Sequence, residues 1–264
     1  MTKICKDLIS DPASKELFNT KVFDPPEGYS DFIISSKTYE DRIVDLRTII
    51  GSTMRYKHED TWFNTLKYLK RRKSNFDKYS CDEIIEFYVN PNHKRTQRSY
   101  TWHIIFINEN GFISEGHHRT TIAKFLSTLG LTDHHISIPK VTYYEVDLES
   151  LKKFNQINKK LSLLKKVVCD DFFCSIEVHN DNFKISYTLS IDMSMKNNRI
   201  VEQINNEEFN SIEDLKKRLF EYLRAYLNKK EKEEFRKKKE AKRDKLIIIG
   251  FIIFIIGYKF LVEV

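Results

Sequence analysis

Along this chain the apolar and polar positions change rhythm several times, and each change predicts an element. TWFNTLKYLKRRK sets Trp62, Phe63, Leu66 and Leu69 at helical spacing behind Asp60, which suits an N-cap. CDEIIEFYV repeats that spacing, and Ser80 followed by Glu83 has the sequence of a capping box. Pro91 closes this helix, and His93 to Arg98 follow as a basic loop. Residues Trp102 to Ile107 predict a strand, Asn108 to Gly111 a tight turn, and Phe112 to Ser114 a returning strand. Thr120 to Leu129 predict a helix, with Gly130 placed for a left-handed C-cap. Ile136 to Asp147 predict a further strand entered through Pro139. Upstream, Ile43 to Ile50 form a β-branched run bounded by Gly51, whereas residues 1 to 40 are weakly patterned and turn at Pro25, Pro26 and Gly28.

After Leu163 the rhythm becomes period two. FFCSIEVHN and NFKISYTLSID predict a hairpin turning at Asn180–Asp181, and RIVEQI a third strand. Ser211 and Asp214 then open a long helix in which Ile212, Leu215, Leu219, Leu223 and Leu227 share a face. The reading is an α+β chain in five parts. An extension (1–39) precedes a compact domain (40–163), a β-hairpin plus long-helix region (164–228), a basic helix (229–245) and an apolar segment (246–262).

Charge sharpens this picture at the C-terminal end. The chain carries a net +7, and residues 229–245, with ten Lys or Arg against five acidic residues, hold +5 of it. The basic balance is therefore one local segment rather than a nucleic-acid-binding surface spread over the chain. LIIIGFIIFIIGYKFLV, residues 246–262, has one charge, Lys259. As a helix it would be about 26 Å long, near the roughly 30 Å of a bilayer core. Its Leu, Ile, Phe and Val residues favour insertion by several kcal/mol, more than the roughly 3 kcal/mol upper cost of Lys259. The expectation is a single-pass C-terminal transmembrane helix. Its upstream basic flank would touch anionic headgroups and keep the bulk of the chain facing the cytoplasm. The four cysteines show no zinc-ligand spacing, and reduced thiols are expected.

The chemistry concentrates in FISEGHHRTTIAKFLSTLG. Three of only seven glycines, Gly111, Gly116 and Gly130, punctuate this strand–turn–helix unit. Gly116 precedes a helix N-terminus, where a missing Cβ permits close approach and the helix dipole favours an anion. Arg119, Thr120 and Thr121 add a guanidinium and two hydroxyls, and His117 and His118 add donors or acid–base groups. The residues point to a phosphate-like anion. His134 and His135, adjacent in an extended stretch, face opposite sides and do not share a metal. His103 reads as structural or as lining the same cleft, and Trp62, Phe63, Tyr68, Phe87 and Tyr88 read as core.

Glu115, Gly116, His117, His118 and Arg119, with Ala123 in the next helix and Ile138, Pro139 and Val141 in the later strand, resemble the ParB/sulfiredoxin-like superfamily. The resemblance covers about residues 40–147. It implies a compact α/β fold whose Gly-x-His-Arg turn holds nucleotide phosphates, with a nucleoside triphosphate (CTP or ATP) and Mg²⁺ as cofactors. By that resemblance Gly116 gives the turn, Arg119 contacts phosphate, His118 assists, and Glu115 holds Mg²⁺ or orients water. His117 stands where the family's reductases carry a catalytic cysteine, which excludes their chemistry here. Residues 148–245 offer strands and one long helix in place of the partition proteins' DNA reader, so nucleic acid is not the favoured partner. A kinase of this fold takes a carboxylate from the N-terminal part, where Glu40, Asp41, Asp45, Glu59 and Asp60 are available. Three functions follow: nucleoside triphosphate binding with hydrolysis or phosphotransfer, a nuclease on the same fold, or a membrane-tethered interaction module with a protein partner or a second copy.

Overall fold

A computed structural model describes residues 11–54, 61–69, 79–90, 102–167, 173–192 and 205–238. The chain divides into two compact units, Met1–Val146 and Asp147–Val264. The α+β class holds in both. The division falls at 146/147, where the sequence suggested 163/164.

In the first unit β1 (Ile33–Asp45), β2 (Ile49–Ser52), β3 (His103–Ile107), β4 (Asn110–Glu115) and β5 (His135–Val146) form one sheet. The strand order is β1-β5-β3-β4-β2. β1 and β5 are antiparallel, as are β3 and β4, while β5 with β3 and β4 with β2 are parallel. Among the described residues four α-helices accompany it: α1 (Pro12–Leu17), α2 (Trp62–Tyr68), α3 (Cys81–Val89) and α4 (His117–Thr128). Their apolar residues Phe18, Trp62, Leu66, Ile84, Ile122 and Phe125 join Ile104, Phe106, Ile113 and Ile138 of the sheet in one core.

Local chemistry explains most of these boundaries. Ser80 and Glu83 do form a capping box, with Ser80 N donating to Glu83 Oε2 at 2.8 Å and Glu83 N to Ser80 Oγ at 3.3 Å. The N-cap of α2 is Thr61 rather than Asp60, which lies outside the described residues; Thr61 Oγ1 accepts from Asn64 N at 3.3 Å. The β3–β4 turn uses Asn108 at φ 53°. Its side chain bonds both the N–H and the C=O of Val146, tying the turn to the end of β5. Gly130, at φ 70°, ends α4 as expected. Cys81 is disulfide-bonded, so the expectation of reduced thiols does not hold there.

Two features escaped the sequence pattern. β1 is a 13-residue edge strand, longer and earlier than the predicted Ile43–Ile50, and it crosses the expected boundary at residue 40. Most of its side chains are exposed, so no alternation announces it. Within it Asp41 takes a left-handed φ of 48°. Asp41 faces Pro139, between the registered pairs Glu40–Lys140 and Arg42–Ile138. A proline has no N–H to give an interior strand. The kink accommodates it in the middle of β5, where the sequence suggested the entry. Across this point the core-facing set on β5 shifts from Ile136 and Ile138 to Val141.

The described residues of the second unit form α5 (Leu148–Val167), β6 (Phe173–Asp181), β7 (Lys184–Asp192), β8 (Asn205–Phe209) and α6 (Ile212–Lys238). β6, β7 and β8 form an antiparallel sheet. The hairpin turns at Asn182 and Phe183, both with positive φ, two residues past the expected position. RIVEQI lies outside the described residues, and β8 follows it directly. α6 opens at Ser211, whose Oγ accepts from Asp214 N at 3.1 Å, and buries Ile212, Leu215, Leu219 and Tyr226. Leu223 and Leu227 are half-buried. α5 was not anticipated: its buried Leu151, Ile157 and Leu161 are sparse within a Lys- and Asn-rich run. Among the described residues no helix is long and apolar enough to cross a membrane; residues 246–262 lie outside them, as does the loop 93–98.

Candidate functional site

The strand–turn–helix unit is present, and its helix begins three residues earlier than expected, placing His117, His118 and Arg119 in the first turn of α4. Gly116 is the N-cap, with φ 81° and ψ 30°. A Cβ built there would meet Trp102 Cδ1 at 2.9 Å. Glycine is therefore required twice, by a left-handed backbone and by an indole against it. The close approach inferred from the sequence is real, but the group that approaches is Trp102.

Trp102 organises the other members. It is 1% exposed, and its Nε1 donates to Thr120 Oγ1 at 2.8 Å, which lies 3.2 Å from the Gly116 carbonyl it donates to. Arg119 Cζ lies 4.9 Å from the indole centroid, and its Nη2 donates to the Phe87 carbonyl at 3.2 Å. A guanidinium at the C-terminal turn of α3 complements that helix's dipole. Burial lowers the Arg119 pKa, and Tyr88 offsets this. Arg119, expected as the leading phosphate contact, thus makes contacts that hold α3, α4 and Trp102 together.

The remaining residues divide by exposure. Thr120 and Thr121 are fully buried, and Thr121 Oγ1 has no hydrogen-bond partner among the described residues. His117 is also buried. Burial, with His118 beside it, lowers its pKa to about 4, while a hydrogen bond to the Ile113 backbone works the other way. His118 is half-buried and Glu115 exposed, so these two present the site's titratable groups to solvent.

α4 differs from the other described α-helices in how it starts. Asp11, Thr61, Ser80, Asp147 and Ser211 each accept a first-turn N–H of α1, α2, α3, α5 and α6 respectively. Gly116 has no side chain with which to do so. Among the described residues no three His, Cys, Asp or Glu side chains are grouped to hold a metal ion. Of the N-terminal carboxylates, Asp45 is paired with Arg47 at 2.7 Å, whose hydrogen bonds hold its pKa near about 2. Asp41 forms the kink, Glu40 is exposed, and Glu59 and Asp60 lie outside the described residues.

The sequence reading missed Trp102 and Lys124. Lys124 Nζ donates to the Leu46 carbonyl at 2.7 Å and lies 5.3 Å from the Trp62 ring centroid; burial lowers its pKa to about 8. No family model matches the chain, and comparison with curated proteins and with solved structures yields no match.

Two outcomes follow. Arg119→Ala removes a stacked cation and a carbonyl hydrogen bond, and should cost about 1–3 kcal/mol in chemical denaturation, with Arg119→Lys recovering only part. His117 has a folded pKa below its unfolded value of about 6.5. The unfolded chain therefore takes up the proton first, and stability should fall as pH drops from about 6.5 to about 4. His117→Gln should flatten that limb of a pH–stability curve relative to the wild type.

Proposed function

We propose that the first unit binds a nucleoside triphosphate through its phosphates at the start of α4, in a chain tethered to a membrane by residues 246–262. The observation that carries this reading is the glycine N-cap. It leaves the positive end of a 12-residue helix without the side-chain acceptor that each other described α-helix has. A phosphate oxygen would supply that acceptor. His118 and Glu115 flank the position from the solvent side. A Mg²⁺ ion accompanying the phosphates would take Glu115 as its protein oxygen ligand, and phosphate oxygens would complete much of its coordination. The resemblance of Glu115–Arg119 to the ParB/sulfiredoxin-like turn supports the same ligand class. The basic flank 229–245 favours a cytoplasm-facing bulk, with which the Cys81 disulfide is at odds.

A second reading is a membrane-tethered interaction module. It is favoured by the inward contacts of Arg119 and Thr120, which give these motif residues structural work without a ligand. A nuclease that relies on His117 is the least supported, because that ring is buried and gains a proton only near about pH 4.

Calorimetry on the detergent-solubilised full chain with nucleoside triphosphate and Mg²⁺ separates these readings. His118→Glu should weaken binding about tenfold by charge repulsion at the helix start. The same change should not lower the thermal midpoint, because an acidic residue suits a helix's first turn. Absence of saturable nucleotide binding by the wild type would sink the nucleotide reading and leave the interaction module.

A further inference from the structure

The two edges of the first sheet are finished differently. Outside β2, Phe23 closes the edge: its N–H donates to the Ile50 carbonyl at 3.1 Å, and its carbonyl accepts from Ser52 N at 3.1 Å. Outside β1 no strand or bridge follows among the described residues. β1 pairs with β5 along its length, so the backbone N–H and C=O groups that point the other way form an open row. No proline interrupts that row. The left-handed Asp41 does, and it leaves residues 34–40, about 23 Å of extended backbone, as the regular part.

The side chains along this edge sort by charge. Lys37 Nζ lies 4.9 Å and Arg42 Cζ 5.2 Å from the Tyr39 ring centroid, which gathers both cations about one residue. Tyr39 meets Tyr143 edge-on at 5.6 Å, and Tyr143 stacks on Phe106 at 4.7 Å, so this group lies on the face that holds the core. Lys37 and Arg42 are exposed, and neither makes an ion pair among the described residues. Glu40, the neighbour of Tyr39, alternates to the opposite face. One face of the open edge therefore presents two uncompensated cations beside a tyrosine.

We propose that β1 takes an extended acidic peptide segment as a further strand. The partner's backbone pairs with residues 34–40, and its alternate side chains bring carboxylates to Lys37 and Arg42 beside Tyr39. Two features of the edge favour this occupant over others. A nucleic acid strand has no ladder of N–H and C=O groups with which to complete the open row. A second copy, paired antiparallel to β1 about a two-fold axis, keeps the same face uppermost in both chains. It would set the Lys37 and Arg42 of both copies on one side of the joint, where like charges repel. An acidic strand satisfies backbone and charge together, and the Asp41 kink marks where the pairing ends. The surface lies apart from Glu115–Thr121 and does not depend on a nucleotide at α4.

The test uses a fluorescein-labelled seven-residue peptide that alternates glutamate with valine, and fluorescence anisotropy on the detergent-solubilised full chain. Saturable binding is expected, with an analogue carrying lysine for glutamate weaker by about tenfold or more. An analogue with proline at its central valine keeps the charges but loses a ladder N–H, and should also weaken about tenfold. The double variant Lys37→Glu, Arg42→Glu should come to prefer the lysine peptide. Both positions are exposed, so its thermal midpoint should match that of the wild type and confirm that it folds. Equal binding of the glutamate and lysine peptides overturns the acidic preference, and undiminished binding of the proline analogue overturns strand addition. No binding of the glutamate peptide overturns the proposal, and a sedimenting mass that then doubles with concentration assigns the edge to a second copy.

Discussion

The indole of Trp102 packed against Gly116 is the contact on which the first unit's site depends. With no Cβ at residue 116 the ring closes on the backbone, and the chain can leave β4 through a left-handed residue directly into α4. The same indole holds Thr120 with its N–H and Arg119 with its face. Arg119 then reaches the last turn of α3. One side chain thus joins the sheet, the start of one helix and the end of another. A larger residue at 116 would have to displace Trp102 and adopt an unfavourable φ at once.

That arrangement divides the Glu115–Thr121 segment into inward and outward groups. Trp102, His117, Arg119, Thr120 and Thr121 are buried, whereas Glu115 and His118 are not. The buried residues position the helix start, and under the proposed function any ligand contact would fall to the backbone of the first turn and to the outward Glu115 and His118. A motif arginine can therefore be indispensable without touching ligand, and substituting it confounds binding with folding.

Local signals made much of the fold legible. The Ser80–Glu83 box, the Gly130 cap, the β3–β4 turn and the Ser211 helix start each depend on residues within a few positions of one another. β1 was hidden because an exposed edge strand needs no apolar alternation, and α5 because a helix buried along a narrow stripe shows few apolar residues. The hairpin turn was placed two residues early because Asn180–Asp181 has better turn chemistry than Asn182–Phe183, where a phenylalanine adopts φ 66°. At the site, the sequence located the turn and its glycine correctly in the chain. It could not show where Arg119 points, because its partners Phe87 and Trp102 are 32 and 17 positions away and meet it only through the packing of α3 on α4. The pairing of His103 with Glu115 and Lys140 across strands was equally invisible, since strand register, not sequence spacing, creates it.

The central claim is that phosphate completes the open start of α4. Amide hydrogen exchange on the full chain, with and without nucleoside triphosphate and Mg²⁺, tests it most directly. The account predicts slowed exchange in the peptide covering Gly116–Thr120, with no change in the β6–β7 hairpin. Saturating nucleotide that leaves Gly116–Thr120 unprotected, or protects only another part of the chain, contradicts it.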